Sequence, residues 1–257
     1  MSSATPFQTP ADKSDKTQSR TLRALLAMRE MILAGDLLSG ERISELIIAE
    51  RTGISRTPIR AALQHLEGEG LVEAIPSGGF AVRSFSEKDV FDAIDIRGTL
   101  EGLAARLAAE SGPSPARLRP LRECLEVLDA VVSTSLGTEK GFERYTEVNA
   151  SLHALIIDLA DSPTLKRQIE RAAALPFASP SAFVMAQSMM PEAHRLLMFA
   201  QDQHRCVVEA ISDREGARAQ AIMQEHARVA ARTLRLALRS EKALGRVRGG
   251  ALIRTVR

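Results

Sequence analysis

The strongest constraint on this fold is a run of four signals between residues 21 and 85. In "TLRALLAMREMILAGDL", Leu22, Leu25, Leu26, Met28, Ile32 and Leu33 recur at helical spacing, and Gly35 ends the run. The spacing predicts a helix over residues 21–37. A shorter helix is expected from Ser44 to Arg51, with Ser44 as N-cap and Gly53 as the break behind it. Ser55 is the natural N-cap of a third helix that runs to Glu67. Pro58 falls in its first turn, where a missing N–H costs nothing. "LVEAIPSGGFAVRSF" then reads as a strand, a Pro-Ser-Gly-Gly turn and a second strand in which Phe80 and Val82 alternate. Three helices and a hairpin in this order make a winged helix-turn-helix.

The third helix places Arg56 and Arg60 at i and i+4, on one face, while Ile59, Leu63 and Leu66 form the opposite, core-facing side. A helix dipole disfavours positive charge in the first turns, so something negative outside the helix should compensate. Duplex DNA supplies it. Arginine reads guanine O6 and N7 with both arms. Ser55 and Thr57 offer hydroxyls to phosphate beside the N–H groups of the helix start. If the arginines merely decorated a solvated helix, the short second helix and the Gly-Gly hairpin would have no purpose.

"GISRTPIRAALQHLEGEGLV…GGFAV", preceded by "SGERISELIIAERTG", resembles the N-terminal signature of the GntR family of bacterial regulators. The resemblance covers residues 22–85. It implies a homodimer on an inverted-repeat operator, with recognition helices in adjacent major grooves and the wing tip, Gly78 and Gly79, at the minor groove. The family often has Glu after the second arginine; Ala61 stands there, so no contact is carried over to that position.

Behind the wing the pattern turns wholly helical. "SEKDVFDAIDIRGTLEGLAARLAAE" opens with Ser86 and Asp89 in a capping arrangement and predicts one helix to Glu110. Further helices are expected over 114–133, 138–159, 162–174, 191–211 and 214–239, with no strand between them. That is a bundle of six or seven helices and an ordinary single domain. The expected fold class is thus mainly α: a winged helix-turn-helix followed by an all-helical bundle. The expected segments are a disordered leader (1–18), a DNA-binding domain (19–85), an effector-binding and dimerisation domain (86–241) and a basic tail (242–257). The tail carries six Lys/Arg against Glu241 alone from Arg239 onward and is expected to be a frayed, solvated end, the alternative being a nucleic-acid contact.

Asn149 and His153 share a helical face, and His204 and His226 lie on two helices joined by the Ser212–Asp213 turn. This spacing permits convergence without requiring it. Three imidazoles and one oxygen would suit Zn²⁺, Ni²⁺ or Mn²⁺. Arg97 and Glu101 also stand at i and i+4. They form either a surface salt bridge of little value or, with Arg97 turned inward, a clamp for an effector carboxylate.

"RGTLEGLAARLAAE" behind such a wing resembles the FCD ligand-binding domain of the FadR-like branch of the GntR family. The FCD pattern is an acidic or amide residue, a His four on, then two later His. It maps onto Asn149, His153, His204 and His226 and implies a metal. Asn149 departs from the Asp common in metal-binding members, which removes one negative ligand. Ala174 to Met190, "ALPFASPSAFVMAQSMM", is rich in small residues and Met, and reads either as a pocket rim or as a connection packed on the core. It bears a weaker resemblance to vanillate-responsive repressors, which implies an aromatic acid as effector.

Composition excludes other classes. Cys124 and Cys206 are far apart and outside any CxxC, against a disulfide framework. No apolar run approaches the ~20 residues of a membrane span, and the polar N-terminus has no signal-peptide core; a cytoplasmic chain is expected. A metalloenzyme in a helix bundle is the rival class, but none of the five histidines has Glu three residues before it, and no HExxH motif, nucleophile elbow or phosphate loop occurs. A DNA-binding dimer without a small-molecule effector is the third reading.

Overall fold

A computed structural model describes residues 10–134 and 138–254, with side chains from residue 18. It divides into two compact units, residues 1–84 and 85–257.

In the first unit, helix α1 (Pro10–Ala34) precedes strand β1 (Arg42–Ile43), helices α2 (Glu45–Thr52) and α3 (Arg56–Gly68), and strands β2 (Val72–Ala74) and β3 (Phe80–Val82). Helix α1 starts at Pro10, so the expected leader is helical from there, with proline at the first helical position where its φ is already suitable; residues 1–9 lie outside the described part. Ser44 caps α2 by accepting from the Ile47 N–H, and Gly53 ends it at φ 67°, a left-handed position suited to glycine. The sheet order is β1-β3-β2, all antiparallel, with Arg42 opposite Ala81 and Val72 opposite Val82. Strand β1 escaped the sequence reading because two residues are too few for an alternation. Ile59, Leu63 and Leu66 of α3 pack with Met28 and Ile32 of α1 in a closed core.

In the second unit, a short strand β4 (Phe85–Ser86) leads into α4 (Glu87–Ser111). The expected capping box is present: Ser86 accepts from the Asp89 N–H while the Asp89 carboxylate accepts from the Ser86 N–H. Then follow α5 (Pro115–Thr134), α6 (Glu139–Leu159), α7 (Pro163–Ala172), α8 (Val184–Gln187), α9 (Ala193–Ser212), α10 (Gly216–Ala237) and α11 (Glu241–Leu244). Helices α4 and α10 meet through Gly98 and Gly102: a Cβ on Gly98 would lie 2.4 Å from the Ala227 Cβ, and one on Gly102 2.7 Å from the Gln224 Cγ. This close crossing sets Arg97 beside His226.

Two expectations are corrected here. A strand does enter the helical part: β5 (Ile253–Arg254) pairs in parallel with β4, Phe85 opposite Ile253. The basic tail is therefore packed through residue 254. Ala243, Val247, Leu252 and Ile253 are buried, and Arg246 Nη1 donates to Glu139 Oε1 at 2.6 Å. Counting charges overlooked the aliphatic residues interleaved with them. Residues 174–190 also pack inward, with Phe177, Ala178, Phe183 and Ala186 buried.

Candidate DNA-reading surface and histidine site

The first unit exposes Ser55, Arg56, Thr57 and Arg60 along one side of α3, and Gly78 and Gly79 at the wing tip. Both glycines are left-handed, at φ 85° and 93°, which a tight wing turn requires. Ser55 holds the N-cap position but makes no side-chain cap bond, so its hydroxyl is not spent on the helix. Two further residues belong to this surface. Arg42 Nη2 donates to the Gly78 carbonyl at 2.9 Å and braces the wing. Glu45 stands between the recognition arginines, 3.4 Å from Arg56 and 3.9 Å from Arg60. Together they line a cleft of about 660 Å³ between α3 and the wing. Their role depends on tertiary placement, and no local motif marked them.

In the second unit, α6, α9 and α10 bring His153, His204 and His226 together. Their ligand nitrogens lie within 4.8 Å of one another, and all three rings are buried. His194, ten positions before His204 on α9, is exposed and takes no part. His204 Nε2 and His226 Nε2 face each other at 3.1 Å, while Gln201 Oε1 lies 3.0 Å from His204 Nδ1 and Gln203 Oε1 3.2 Å from His226 Nδ1. The Gln201 amide is pinned: its Nε2 donates to Asp129 Oδ1 at 2.6 Å and to the Leu125 carbonyl at 3.3 Å. Its oxygen must then accept from His204 Nδ1–H, and His204 Nε2 presents a lone pair. Asp129 is held in turn by Arg205, which donates to it at 2.7 and 3.3 Å.

His153 Nδ1 lies 3.2 Å from Glu101 Oε1, but at an angle that makes no hydrogen bond, and both of its ring nitrogens lack a partner. Glu101 Oε2 accepts from Arg97 Nη1 at 3.2 Å, and Arg97 Nε is unpartnered. At 2% exposure each, Arg97 and Glu101 are a buried pair, so the surface salt bridge is excluded. Burial alone would raise the Glu101 carboxyl; Arg97 and His153 outweigh it and hold it below the usual carboxylate range. Burial also lowers His204 and His226 well below the ordinary histidine value, reinforced by the neighbouring imidazoles. These two rings are neutral, as metal ligands must be.

Asn149 lies one turn from His153 and lines a cavity of about 30 Å³ with Arg97 and His226. Its Nδ2 donates to Ser181 Oγ at 2.9 Å, and Ser181 donates to the Thr146 carbonyl, so only the amide oxygen is left to offer an ion. The set fits a divalent transition metal. Two nitrogens ~2.1 Å from one ion stand about 3.0 Å apart at octahedral and about 3.4 Å at tetrahedral angles, which brackets the observed 3.1 Å. A buried His153 without partners is costly unless something fills the centre. Sequence reading found the three histidines but not their supports. Gln201, three residues before His204, was the available signal.

A winged DNA-reading head and a helical domain with a buried, polar centre of three histidines define a ligand-responsive transcriptional regulator. Residues 21–82 match "Bacterial regulatory proteins, gntR family" and residues 92–229 match the FCD domain. The chain belongs to the GntR family and carries an FCD domain. It is 31% identical to the "Probable D-xylose utilization operon transcriptional repressor" of Paenarthrobacter nicotinovorans, over 77% of this chain and 83% of that protein. It is 33% identical to the transcriptional regulator YdhC of Bacillus subtilis (strain 168), over 62% of this chain and 68% of that one. The solved structure of McbR/YncC from E. coli shares the fold, with a TM-score of 0.53 at 24% identity, covering 83% of this chain and 97% of that one. Among the described residues no helix is long and apolar enough to cross a membrane.

Proposed function

We propose that the protein is a cytoplasmic repressor that binds an inverted-repeat operator as a homodimer and releases it when a small organic acid, including an aromatic one, occupies the helical domain. Arg56 and Arg60 read base edges, Ser55 and Thr57 hold phosphate, and Gly78 and Gly79 carry the wing to the minor groove. His153, His204 and His226, with the Asn149 carbonyl oxygen, hold one Zn²⁺, Ni²⁺ or Mn²⁺ ion. The ion supplies a Lewis-acid anchor for a carboxylate. Arg97, whose Nε is unpartnered, supplies a second cationic contact from the wall of the same cavity.

The observation that supports the metal is the pinned His204 tautomer. With Gln203 oriented as Gln201 is, two buried lone pairs face each other across 3.1 Å, which needs a cation or a proton between them. Elemental analysis of purified protein reloaded with Zn²⁺, Ni²⁺ or Mn²⁺ tests it: about one ion per chain is expected in wild type and none in His204→Ala. Wild type that retains no ion after gel filtration overturns the metal. For the operator, Arg56→Ala and Arg60→Ala each lower specific affinity by about 1–3 kcal/mol in fluorescence anisotropy. Wild-type affinity in both variants at matched salt refutes the base-reading assignment.

A further inference from the structure

The C-terminal segment belongs to neither site described above, yet glycines and buried side chains fix its path. Gly249 is left-handed at φ 76°, and a Cβ there would lie 2.5 Å from Pro176 Cγ. A Cβ on Gly250 would lie 2.2 Å from the Leu244 carbonyl oxygen. The chain can close against Pro176 at this turn only with glycine. Ala243 and Val247 are buried before the turn, Leu252 and Ile253 behind it. The turn delivers β5 to β4, with Ile253 opposite Phe85 and Arg254 opposite Ser86.

Strand β4 is where the second unit begins. Phe85 follows Ser84, the last residue of the DNA-reading unit, and Ser86 is the N-cap of α4. Whatever the effector unit imposes on the head through the covalent chain passes through these two residues. The Phe85 ring is buried and meets Phe177 edge-on, ring centroids 4.8 Å apart and planes at 73°. Phe177 lies in a single 3₁₀ turn, Pro176–Ala178, beside the proline that Gly249 closes against. The tail thus holds the junction twice: β5 pairs with its backbone, and the Gly249 turn backs the 3₁₀ turn that carries Phe177. Ser181, a few positions after Phe177, accepts from Asn149 Nδ2 at 2.9 Å, so the same connection also reaches the histidine centre.

We propose that residues 241–254 form a strap that holds Phe85 and Ser86, and with them the junction between the two units, in one conformation. So short a strand does not keep its own direction, since an isolated two-stranded pairing is marginal at best. The pairing stands because α11, the Gly249 turn and the buried Leu252 and Ile253 anchor β5. With the strap lifted the junction pivots, and the two heads of a dimer lose their fixed separation. This consequence for operator spacing rests on the homodimer proposed above; the restraint on the junction does not.

Hydrogen exchange read by mass spectrometry tests the strap. Two variants lift it in different ways: a stop after Ser240, and Gly249→Val, which keeps every charge but forces a β-branched residue into the left-handed region against Pro176. In both, residues 83–90 are expected to exchange about tenfold or more faster than in wild type, while residues 94–105 in the middle of α4 are unchanged. Should both variants lose protection over 94–105 as well, Ile253→Ala, a milder loosening of β5, replaces them. Unchanged exchange over 83–90 in a folded variant, or a rise in Ile253→Ala no greater than that over 94–105, overturns the strap. Fluorescence anisotropy on operators with half-sites moved apart by a base pair or two tests the consequence. Wild type is expected to bind these about tenfold more weakly than the native operator, as a dimer matched to one half-site spacing does, and the folded strap variants to lose most of that preference. Variants that discriminate as wild type does overturn the control of spacing, whereas a wild type indifferent to spacing overturns the homodimer reading instead.

Discussion

Gln201→Leu isolates the support of the histidine centre from its ligands. Gln201 is 1% exposed and bridges three groups: it accepts from His204 Nδ1–H and donates to Asp129 and to the Leu125 carbonyl. Leucine keeps much of the volume and removes all three bonds. His204 then loses the acceptor that fixes its tautomer, and its Nδ1–H is buried without a partner. Loss of such an outer-shell partner lowers metal affinity by about 10–100-fold, or about 1.4–2.7 kcal/mol. Asp129 keeps Arg205 as partner, so α5 and α9 remain joined at that point. Zn²⁺ affinity is read by competition with a chromophoric chelator, and operator affinity by anisotropy in the same preparation. Weaker metal binding with unchanged affinity for the operator in the absence of ligand is expected. Asp129→Asn, which can still face Gln201 but no longer forces its orientation, gives a smaller loss. If Gln201→Leu binds Zn²⁺ as wild type does, the tautomer argument fails: Gln201 does not hold His204 for the ion.

Glu45→Gln releases Arg56 and Arg60 from a carboxylate at 3.4 and 3.9 Å. At about 0.2–1 kcal/mol per exposed pair, non-specific DNA affinity rises about 2- to 30-fold and its salt dependence steepens; an effect no larger than that of Glu73→Gln, on β2, refutes the restraint of the two arginines by Glu45. Asn149→Asp adds an anionic oxygen and tightens metal binding, but its carboxylate meets a Ser181 hydroxyl already donated to Thr146, so the stripped variant is less stable than stripped wild type; chelator competition and urea melts check both. His204 and His226 have folded values well below the ordinary one. Below about pH 6.5 the unfolded chain therefore takes up protons that the folded one refuses, and stability falls with pH. Urea unfolding of chelator-treated protein is expected to lose about 1.4 kcal/mol per pH unit below 6.5 if the pair shares one proton across its 3.1 Å contact, and up to about 2.7 if both rings stay neutral; a flat profile between pH 7 and 5.5 contradicts their burial.

What the sequence by itself determined is local and periodic. Ser44, Gly53, Pro58 and Gly78-Gly79 mark caps, a break and a turn, because each needs a backbone conformation or a bond that few other residues supply. The apolar stripe of α3 fixes which side faces the core, and so which side Arg56 and Arg60 present. Ser86 with Asp89 starts α4 for the same local reason. Tertiary structure decided what lies between helices. That His204 and His226 meet at 3.1 Å follows from how α9 and α10 pack, which their spacing only permits. That Arg97 and Glu101 are buried follows from α10 crossing α4 at Gly98 and Gly102, where side chains would collide. Glu45, Gln201 and Asp129 act through partners 11, 3 and 72 or more residues away, by direction as much as by distance. The tail shows the limit most plainly. Its charges are visible in one dimension, but the burial of Val247, Leu252 and Ile253 depends on a helical surface, and on the strand edge of β4, which lies more than a hundred positions earlier.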